Sequence, residues 1–410
     1  MFEQIPVLRE TAGNGQDFLL CADAAGELPE LEPFWGEAQC VYMDPPFMTG
    51  DSFVRRRRFG APGWRTGKPT AEFPAYEDSY ASREEYLTML RRLIENAHRL
   101  LSGTGVFCLH LDWRSSAYAR IICDEVFGED MFLNEIVWAY ESGGRARKYF
   151  SRKHDVILLY ARSKKYRFDL RRVPLPRVSN RRNHMRRAVD EEGRPYSAIT
   201  SGGKEYRYYD DAPVYPGDVW TDISHLQQRD PERTGYATQK PLRLMDRLLR
   251  PVVRPGDLVV DLCCGSGTTL AAAQALGCRV LGVDSSHEAL MVTRSRLDTS
   301  HMTVCCPCAE DQAPLEGTYD AMTGVMMLTG FQAEHPAFPP SERAMDVLES
   351  WSAGWLREGA MVIDQSFGRS VKQPELPLFC ILPEGEGVAC VSTVDAAGRR
   401  RVYRWVEEHP

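Results

Sequence analysis

Long apolar segments are missing from this chain of 410 residues. No run of 18 or more apolar residues occurs, and the first residues lack a basic flank followed by a hydrophobic stretch. We therefore expect neither membrane insertion nor secretion, and we expect a cytoplasmic location without a membrane partner. The apolar fraction of 43% is that of an ordinary packed globular protein.

The chain also lacks the cysteine spacing of a zinc finger or a disulfide framework. Its twelve cysteines are scattered through apolar segments, where thiols pack as small buried hydrophobes. The densest group, Cys305-Cys306-Pro307-Cys308, has no second Cys/His pair at zinc-like spacing. We therefore predict reduced thiols in a reducing compartment and no metal site.

Net charge is small, at −7 for the whole chain, but it is unevenly placed. Residues 141–250 carry 25 Lys and Arg against 14 Asp and Glu, a net of +11, which leaves −18 for the remainder. This asymmetry favours a segment that binds a polyanion inside an otherwise acidic chain. A solvated basic face is the alternative interpretation.

Short apolar runs alternate with helical patterns over the first 300 residues, apart from one long irregular stretch. The alternation predicts an α/β fold with a mostly parallel sheet flanked by helices. The irregular stretch is rich in Arg, Pro, Asn, Tyr and Gly and indicates an insert. The predicted divisions are a first half (1–165), an insert (166–235), a second half of the same sheet (236–305) and a small α+β appendage of unassigned role (306–410).

A strand, a glycine turn and a helix start follow one another at residues 259–269. Gly265 and Gly267 would let a ligand approach the backbone closely, because no Cβ stands in the way. The next strand ends at Asp284, whose carboxylate could accept hydrogen bonds from two ribose hydroxyls. A dinucleotide site would add a third glycine inside the helix, which is absent. The pattern indicates S-adenosylmethionine (SAM) as cofactor; a tight turn without a ligand is the alternative.

A second motif, Asp44-Pro45-Pro46-Phe47, places an acid, two rigid residues and an aromatic ring at the end of another apolar run. An exocyclic amine on an aromatic base is a poor nucleophile, because its lone pair is delocalised into the ring. Asp44 would accept one N–H and the Pro45 carbonyl the other, freeing the lone pair for in-line attack on a methyl group. The motif therefore predicts amine methylation without a covalent enzyme intermediate.

Phe47 would stack on the base, which must leave the duplex because its amine is engaged in base pairing. Pro307-Cys308 imitates the dipeptide that carries the nucleophile in cytosine-ring methylases, where covalent attack is required. The Asp-Pro-Pro-Phe motif argues against that chemistry. Read alone, the motif is also compatible with an ordinary turn.

At this point the sequence resembles the β-class amino DNA methyltransferases of bacterial restriction-modification systems. The likeness covers about residues 15–300 and rests on segments in that class's permuted order: LLCADAAGEL, DPPF, HLDWRSSAYARIICDEVFG, NEIVWAY, RKHDVILLYA, GDVWTDI, ERTGYATQKP and DLCCGSGTTLAAA. The resemblance implies a Rossmann-like SAM-dependent methyltransferase fold, circularly permuted so that the catalytic half comes first.

The resemblance also implies a set of cofactor-binding residues. Asp23 would lie near the adenine of SAM, and the segment containing Lys240 would lie near its methionyl carboxylate. The family usually carries Asp-Pro-Phe where this chain has Asp261-Leu262-Cys263, so an aromatic ring is missing from the expected site. The expected cofactor residues are Asp23, Thr238, Gln239, Lys240, Asp261, Cys263, Gly265, Ser266, Gly267, Thr268 and Asp284.

Two basic segments are candidates for DNA contact. The insert, which matches the family's target-recognition region, contributes Arg181, Arg182, Arg186 and Arg187. A second run contributes Arg56 and Arg57, just before a Gly- and Pro-rich stretch that we expect to be a mobile loop closing over DNA. A solvated loop is the alternative.

The first residue of the motif narrows the substrate. Asp is more typical of adenine enzymes of this family and Ser of cytosine enzymes, so we predict N6-adenine methylation of a flipped base in double-stranded DNA. N4-cytosine methylation, an RNA base amine and a catalytically weak DNA-binding subunit are the alternatives. Family habit favours a homodimer. The sequence leaves open whether a separate restriction endonuclease is a partner, and we expect a bacterial, nucleoid-associated location.

Overall fold

The computed structural model describes residues 1–141, 146–176, 185–227, 230–236, 238–341 and 343–407. Its strands are numbered in chain order, and most of them join one mixed sheet of 15 strands. Before the insert the strands are β1 (Phe2–Ile5), β2 (Arg9–Ala12), β3 (Asp17–Cys21), β4 (Ala38–Met43), β5 (Ser52–Arg58), β6 (Thr70–Glu77), β7 (Leu101–Leu111), β8 (Phe132–Ala139) and β9 (His154–Ala161).

The remaining elements lie in the insert, the second half and the C-terminal segment. The strands are β10 (Arg186–Val189), β11 (Pro195–Ser201), β12 (Lys204–Tyr209), β13 (Val219–Trp220), β14 (Leu258–Asp261), β15 (Arg279–Asp284), β16 (Met302–Cys305), β17 (Leu315–Tyr319), β18 (Val325–Phe331), β19 (Leu348–Arg357), β20 (Ala360–Gly368), β21 (Phe379–Ile381), β22 (Val388–Asp395) and β23 (Arg400–Trp405). The α-helices are α1 (Gly60–Thr66), α2 (Arg83–Leu100), α3 (Ser116–Phe127), α4 (Leu242–Leu249), α5 (Thr268–Ala275) and α6 (His287–Arg296).

Strands from both halves of the chain belong to one parallel block of the sheet. Its order is β16-β3-β15-β14-β4-β7, and every neighbouring pair in it is parallel. Strand β14 of the second half pairs directly with β4 of the first, so the insert interrupts the chain but not the sheet. The predicted α/β, Rossmann-like fold with the catalytic half first is confirmed.

Strand β4 shows why this block forms. All six of its residues are buried, as expected for a parallel strand covered on both faces. Val41 and Met43 face the core that contains α2 and α3, while Cys40 and Tyr42 face the core that contains α4 and α5. This period-two alternation between two apolar layers fixes the register of β4 in the sheet and therefore the position of Asp44, the residue after Met43.

Helix α2 begins at a capping box. The Ser82 side chain accepts from the Glu85 backbone N–H at 3.2 Å, and Glu85 in turn accepts from the Ala81 N–H at 2.8 Å. Apolar residues then recur every three or four positions and bury one face: Tyr86, Leu90, Leu93, Ile94 and Ala97. Burying each large side chain stabilises the packing by about 1.5–3 kcal/mol, so α2 anchors the first half.

The C-terminal segment differs from the predicted α+β appendage. Its described residues form strands and one short 3-10 helix, Ala344–Val347. The prediction of an α+β appendage was wrong, because β19, β20, β22 and β23 extend the main sheet as an antiparallel block. The predicted boundary at the start also shifts, since β1 pairs with β23 and β2 pairs with β20.

A buried ion cluster ties the N-terminal strand to both later parts of the chain. Glu10 on β2 is fully buried and accepts from Arg400 at 2.6 Å and from Arg294 at 3.2 Å. Burial opposes ionisation, but the two arginines hold the Glu10 pKa at about 2. Removing one partner from such a cluster would leave a buried charge uncompensated, so the three parts depend on one another.

The stretch expected to be a mobile loop is ordered. Strands β5 and β6 form a hairpin around helix α1. The Ala61 N–H donates to Asp346 at 3.3 Å and the Trp64 indole N–H donates to Glu349 at 3.0 Å. The sequence could not show these contacts, because their acceptors lie nearly 300 residues later in the C-terminal block.

The insert is a small unit attached to the far edge of the sheet. Strands β10, β11 and β12 form their own antiparallel sheet, and β13 returns to pair with β8. Among the described residues, no helix has the length and apolar character required to cross a bilayer.

Candidate active site

A cavity of about 700 Å³ opens at the carboxyl edge of strands β3, β4, β14 and β15. Both predicted motifs meet there, since parallel strands place their carboxyl ends at one edge of the sheet. Its wall contains Asp23, Asp44, Pro45, Pro46, Phe47, Thr238, Gln239, Lys240, Asp261, Cys263, Gly265, Ser266, Thr268 and Asp284. Gly267 lies between two of these residues as the N-cap of α5.

The glycine turn is shaped by close contacts. Gly267 has φ +73°, and a Cβ there would come within 2.7 Å of the Thr293 hydroxyl. Arg296, which the sequence did not single out, donates to the Ser266 carbonyl at 2.7 Å and to the Thr268 hydroxyl at 3.0 Å. A side chain at position 267 would therefore displace the turn from the cavity wall.

Asp284 is held by the backbone on two sides. One carboxylate oxygen accepts from the Gly265 N–H at 2.8 Å and the other from the Ser286 N–H at 2.9 Å. Burial nevertheless raises its pKa to about 6, because the hydrogen bonds only partly offset desolvation. Each oxygen keeps a further acceptor site, so the group can still receive two hydroxyl donors.

Asp261 and Cys263 form the adjoining wall. Asp261 is buried and accepts from the Cys263 N–H at 3.1 Å, and burial raises the Asp261 pKa to about 7. The Cys263 thiol occupies the position where the resembled family carries a ring. Asp44, whose charge is offset by Lys240, and Asp284 lie on the same wall, so Asp284 is the carboxylate of these three that chiefly favours a cationic ligand.

Asp44 stands directly after β4 with its two oxygens in different surroundings. Oδ2 pairs with the Lys240 ammonium, which also lies 5.6 Å from the centre of the Phe47 ring. Oδ1 is buried without a hydrogen-bond partner among the described residues. We expected Lys240 at a cofactor carboxylate, whereas the structure places its ammonium on Asp44. Asp44 lines the cavity, and an acceptor without a partner suits a ligand that donates an N–H.

The turn after Asp44 is organised by Asp78, which the sequence reasoning missed. This buried carboxylate accepts from the backbone N–H groups of Phe47 at 3.1 Å, Met48 at 2.7 Å and Thr49 at 3.0 Å. Met48 has φ +61°, a strained conformation for this residue type. Nothing in the sequence marks Asp78, because the motif and its acceptor are about 30 residues apart.

A buried hydrogen-bonded chain lies behind Phe47. The His110 ring stacks with the Phe47 ring, and the two ring centres are 6.3 Å apart. The His110 nitrogens contact the Tyr42 hydroxyl at 3.0 Å and an oxygen of Asp155 at 3.2 Å. Tyr140 donates to the other oxygen of Asp155 at 2.9 Å. Burial opposes ionisation of Asp155, but the His110 hydrogen bond helps to hold its pKa at about 2. The network fixes the orientation of the aromatic ring from behind.

The segment before α4 forms part of the cavity wall, and its Tyr236 ring lies close to Gly265 of the glycine turn. Gln239 accepts from the Thr234 N–H at 2.8 Å and donates to the Glu232 carbonyl at 2.8 Å, so its amide holds the loop in place. Thr238 has φ +58°, which costs a β-branched residue conformational energy. Thr238 and Gln239 therefore contribute to the cavity mainly by holding the conformation of this loop.

The two arginines on β5 have different environments. Arg56 keeps 70% of its side chain exposed and pairs with Glu72 across the hairpin. Arg57 is only 11% exposed, donates to the Ala396 carbonyl at 2.8 Å and lies 3.7 Å from Glu288. The expectation that Arg57 contacts DNA from a mobile loop is therefore wrong, because the C-terminal block already holds its guanidinium.

The insert arginines are placed only in part. Arg186 pairs with Glu205 at 3.1 Å and Arg187 pairs with Asp210 at 2.5 Å, and both keep more than half of their side chains exposed. They remain accessible to phosphates. Arg181 and Arg182 lie outside the described residues.

Comparison with known proteins gives a family match over most of these elements. The profile described as "DNA methylase", for the N6/N4 methyltransferases, matches residues 38–294, and a general methyltransferase-domain profile matches residues 259–344. The type II methyltransferase M.EcaI of Enterobacter cloacae is 25% identical over 61% of this chain and 62% of its own length. The DNA adenine methyltransferase YhdJ of Escherichia coli is 24% identical over 70% of this chain and 85% of its own length.

Solved structures show a looser likeness. The PvuII DNA methyltransferase, described as cytosine-N4-specific, has a TM-score of 0.45 and 13% identity, covering 73% of this chain and 91% of its own. The SAM complex of M1.HpyAVI has a TM-score of 0.42 and 15% identity, covering 68% of this chain and 98% of its own.

Proposed function

This chain belongs to the N6/N4 DNA methylase family, and we propose that it methylates the N6 amine of adenine within a specific sequence of double-stranded DNA. The observation that carries the proposal is the Asp44 carboxylate, which lines the cavity with Phe47 and has one oxygen, Oδ1, that is buried without a hydrogen-bond partner among the described residues. An amine that must lose its ring conjugation needs such an acceptor.

SAM is the cofactor of this family, and the residues at the cavity fit it. Asp284 retains acceptor sites for two ribose hydroxyls, and the glycine turn offers a backbone surface without a Cβ. Asp284, whose pKa of about 6 leaves it largely ionised at neutral pH, gives the wall a negative charge that suits the positive charge of a sulfonium ligand. When bound, SAM supplies an electrophilic methyl group.

The chemistry assigned to the chain begins at Asp44. Because Lys240 holds Oδ2, the unpartnered Oδ1 is the atom that we assign as acceptor of an amine hydrogen. The Pro46 carbonyl already accepts from the Tyr86 hydroxyl at 3.0 Å, so the Pro45 carbonyl is the candidate for the second hydrogen. Accepting both hydrogens localises the nitrogen lone pair and favours direct attack. The released proton passes first to Asp44 or to solvent.

Phe47 is assigned the role of stacking platform for the extruded base. Asp78 fixes its backbone and His110 packs against its ring, so the platform is rigid before DNA arrives. Stacking recovers part of the few kcal/mol that extruding a base from the duplex costs. A rigid ring loses little entropy on binding, which strengthens this compensation.

Adenine is preferred over cytosine because of Asp at the first motif position, and the name of the relative YhdJ supports the same choice. N4-cytosine methylation uses the same acceptor geometry and stays the second candidate. DNA contact is assigned to Arg56, Arg186 and Arg187. The homodimer and a separate restriction endonuclease remain predictions.

The test is to incubate the purified full chain with SAM and unmethylated genomic DNA and to map modified bases by single-molecule sequencing. N6-methyladenine in one recurring motif is the expected result. N4-methylcytosine in one motif would replace adenine as the substrate, and an unmodified DNA sample despite measurable SAM binding would overturn the proposal.

Two variants of the acceptor give matched controls. Asp44→Ala should lower the methylation rate by about 10²–10³-fold, the usual effect of removing one stabilising group from a reacting centre. Asp44→Asn keeps a carbonyl oxygen in place and should retain more activity than Asp44→Ala. Equal activity in the wild type and Asp44→Ala would exclude the assigned role.

A further inference from the structure

A compact group of sulfur and nitrogen atoms lies outside the cavity. Among the residues that the structure describes, Cys21, His287 and Cys306 bring one ligand atom each to within 4.8 Å of one another. Cys21 is the last residue of β3, Cys306 follows β16, and His287 is the first residue of α6. The proposed methylation chemistry uses none of these three side chains.

The fold explains why these residues meet. Strands β3 and β16 are parallel neighbours with Leu20 opposite Cys305, which brings the next residues, Cys21 and Cys306, side by side. Helix α6 starts at His287, just beyond the end of β15, the other neighbour of β3. Three separate elements therefore converge at the edge of the sheet, a pattern that chain spacing alone could not show.

We propose that Cys21, His287 and Cys306 form a binding site for a thiophilic divalent cation such as Zn²⁺, with a fourth position open to water. Such ions take thiolate and imidazole ligands at about 2.3 Å and 2.0–2.1 Å, so neighbouring sulfur and nitrogen atoms of a tetrahedral site lie about 3.6 Å apart. The Cys306 sulfur and His287 Nδ1 are 3.6 Å apart.

Charge and exposure are compatible with this ligand set. Two thiolates and a neutral imidazole balance a divalent cation, so the bound group adds no net charge to a partly buried place. Cys306 is buried, while Cys21 and His287 are partly exposed and give an ion a route from solvent. Arg400 donates to the Cys306 carbonyl at 2.8 Å, which fixes the backbone of this residue.

The site would act as a clamp beside the cofactor wall. Asp284 is the register partner of Cys21, and Ser285 and Ser286, which line the cavity, connect Asp284 to His287. An ion held by β3, β16 and α6 would fix this segment. The inference concerns metal binding itself and does not depend on the proposed substrate.

The experiment uses the full chain without a histidine tag, reduced and freed of metal by a chelator. Titration with Co²⁺ should produce thiolate-to-cobalt charge-transfer absorption that saturates at about one ion per chain and is displaced by Zn²⁺. Cys21→Ser should abolish this absorption, and Cys306→Ser should do the same, with circular dichroism confirming that each variant is folded.

Cys308→Ser is the matched control. Cys308 lies two residues after Cys306, and, like Cys21, it is partly exposed. Its sulfur contacts the Val7 carbonyl at 3.3 Å and is not part of the cluster. This variant should keep the full cobalt spectrum. Absence of charge-transfer absorption in the wild type, or a spectrum that survives Cys21→Ser, would show a simple thiol–imidazole contact and overturn the proposal.

Discussion

Lys240 places its ammonium on the carboxylate of Asp44, joining residues that lie almost 200 positions apart in the chain. Both side chains are largely buried, with 9% and 17% of their surfaces exposed. The pair joins the segment before α4 to the end of β4 and assigns the two Asp44 oxygens separate roles. Lys240 is thus a positioning residue for the proposed acceptor.

Lys240→Met keeps the side-chain length and removes the charge. Without Lys240 the Asp44 carboxylate loses the contact that fixes its orientation, and misplacing a reacting group by about 1 Å costs about 10²-fold, so we expect kcat to fall by about 10–100-fold. Single-turnover methylation of a DNA duplex measures the effect, with Lys240→Arg as the charge-preserving control. A faster Lys240→Met enzyme would mean that Lys240 blocks Asp44 instead of orienting it.

Asp78→Ala removes the acceptor for three backbone N–H groups in the turn after Asp44. Each hydrogen bond to a charged group contributes about 1.5–3 kcal/mol, and because such bonds are not additive we expect a loss of about 3–5 kcal/mol in the free energy of unfolding. Urea denaturation measures this loss. Turnover on DNA should fall more than SAM affinity, which calorimetry measures.

Asp78→Asn provides the control for that change, since its amide oxygen can still accept part of the backbone hydrogen bonds. We expect it to lie between the wild type and Asp78→Ala in both stability and turnover. A variant pair that loses SAM binding and DNA turnover equally would indicate general unfolding of the site instead of a displaced Phe47 platform.

The two motifs and their meeting place were predictable because each depends on local features. Gly265 and Gly267 mark a strand-to-helix turn, and Asp44 follows a mostly apolar strand, so parallel pairing alone brings them to one edge. Asp78 and His110 were not predictable as site residues. Asp78 acts by accepting hydrogen bonds from a turn about 30 residues earlier, and His110 acts through a ring contact with Phe47.

Arg57 was misjudged for a related reason. A run of four arginines before a Gly- and Pro-rich stretch predicts a solvated or DNA-binding loop, but burial against the C-terminal block decides its environment. The all-β character of that block was missed because its strands are completed by β1 and β2 from the opposite end of the chain. Pairing partners so distant leave no local signal.

SAM affinity should depend on pH through Asp284. Burial raises the Asp284 pKa to about 6 in the folded protein, and only the ionised carboxylate can accept both ribose hydroxyls while attracting a cation. We expect the Kd for SAM to rise about tenfold per pH unit below about pH 6 and to be level only above about pH 8, once Asp261, with a pKa of about 7, is ionised as well. Calorimetry across this range measures it, and a pH-independent Kd would contradict it.

The raised pKa values of Asp284 and Asp261 also affect the free energy of unfolding, which should fall as the pH rises. Between the ordinary aspartate pKa and about 6 for Asp284, or about 7 for Asp261, the folded state keeps a proton that the unfolded state has released. The ligand-free protein should therefore become less stable as pH rises from about 4 to 7 because of these two groups. Asp261→Asn should reduce that slope in urea denaturation measured at several pH values.

Arg56 and Arg57 make an adjacent pair with opposite expected effects. Neutralising the exposed Arg56 should reduce the slope of log K for DNA against log salt by about 0.9, the contribution of one phosphate contact. Arg57→Ala should leave that slope unchanged, because its guanidinium is held by Ala396 and Glu288. It should instead lower the free energy of unfolding by about 1–3 kcal/mol, since a hydrogen bond to a charged group is lost.

DNA binding by fluorescence anisotropy at several salt concentrations, with urea denaturation in parallel, separates the two effects. If Arg57→Ala flattened the salt dependence as much as Arg56→Ala, the C-terminal contact would have to open when DNA binds.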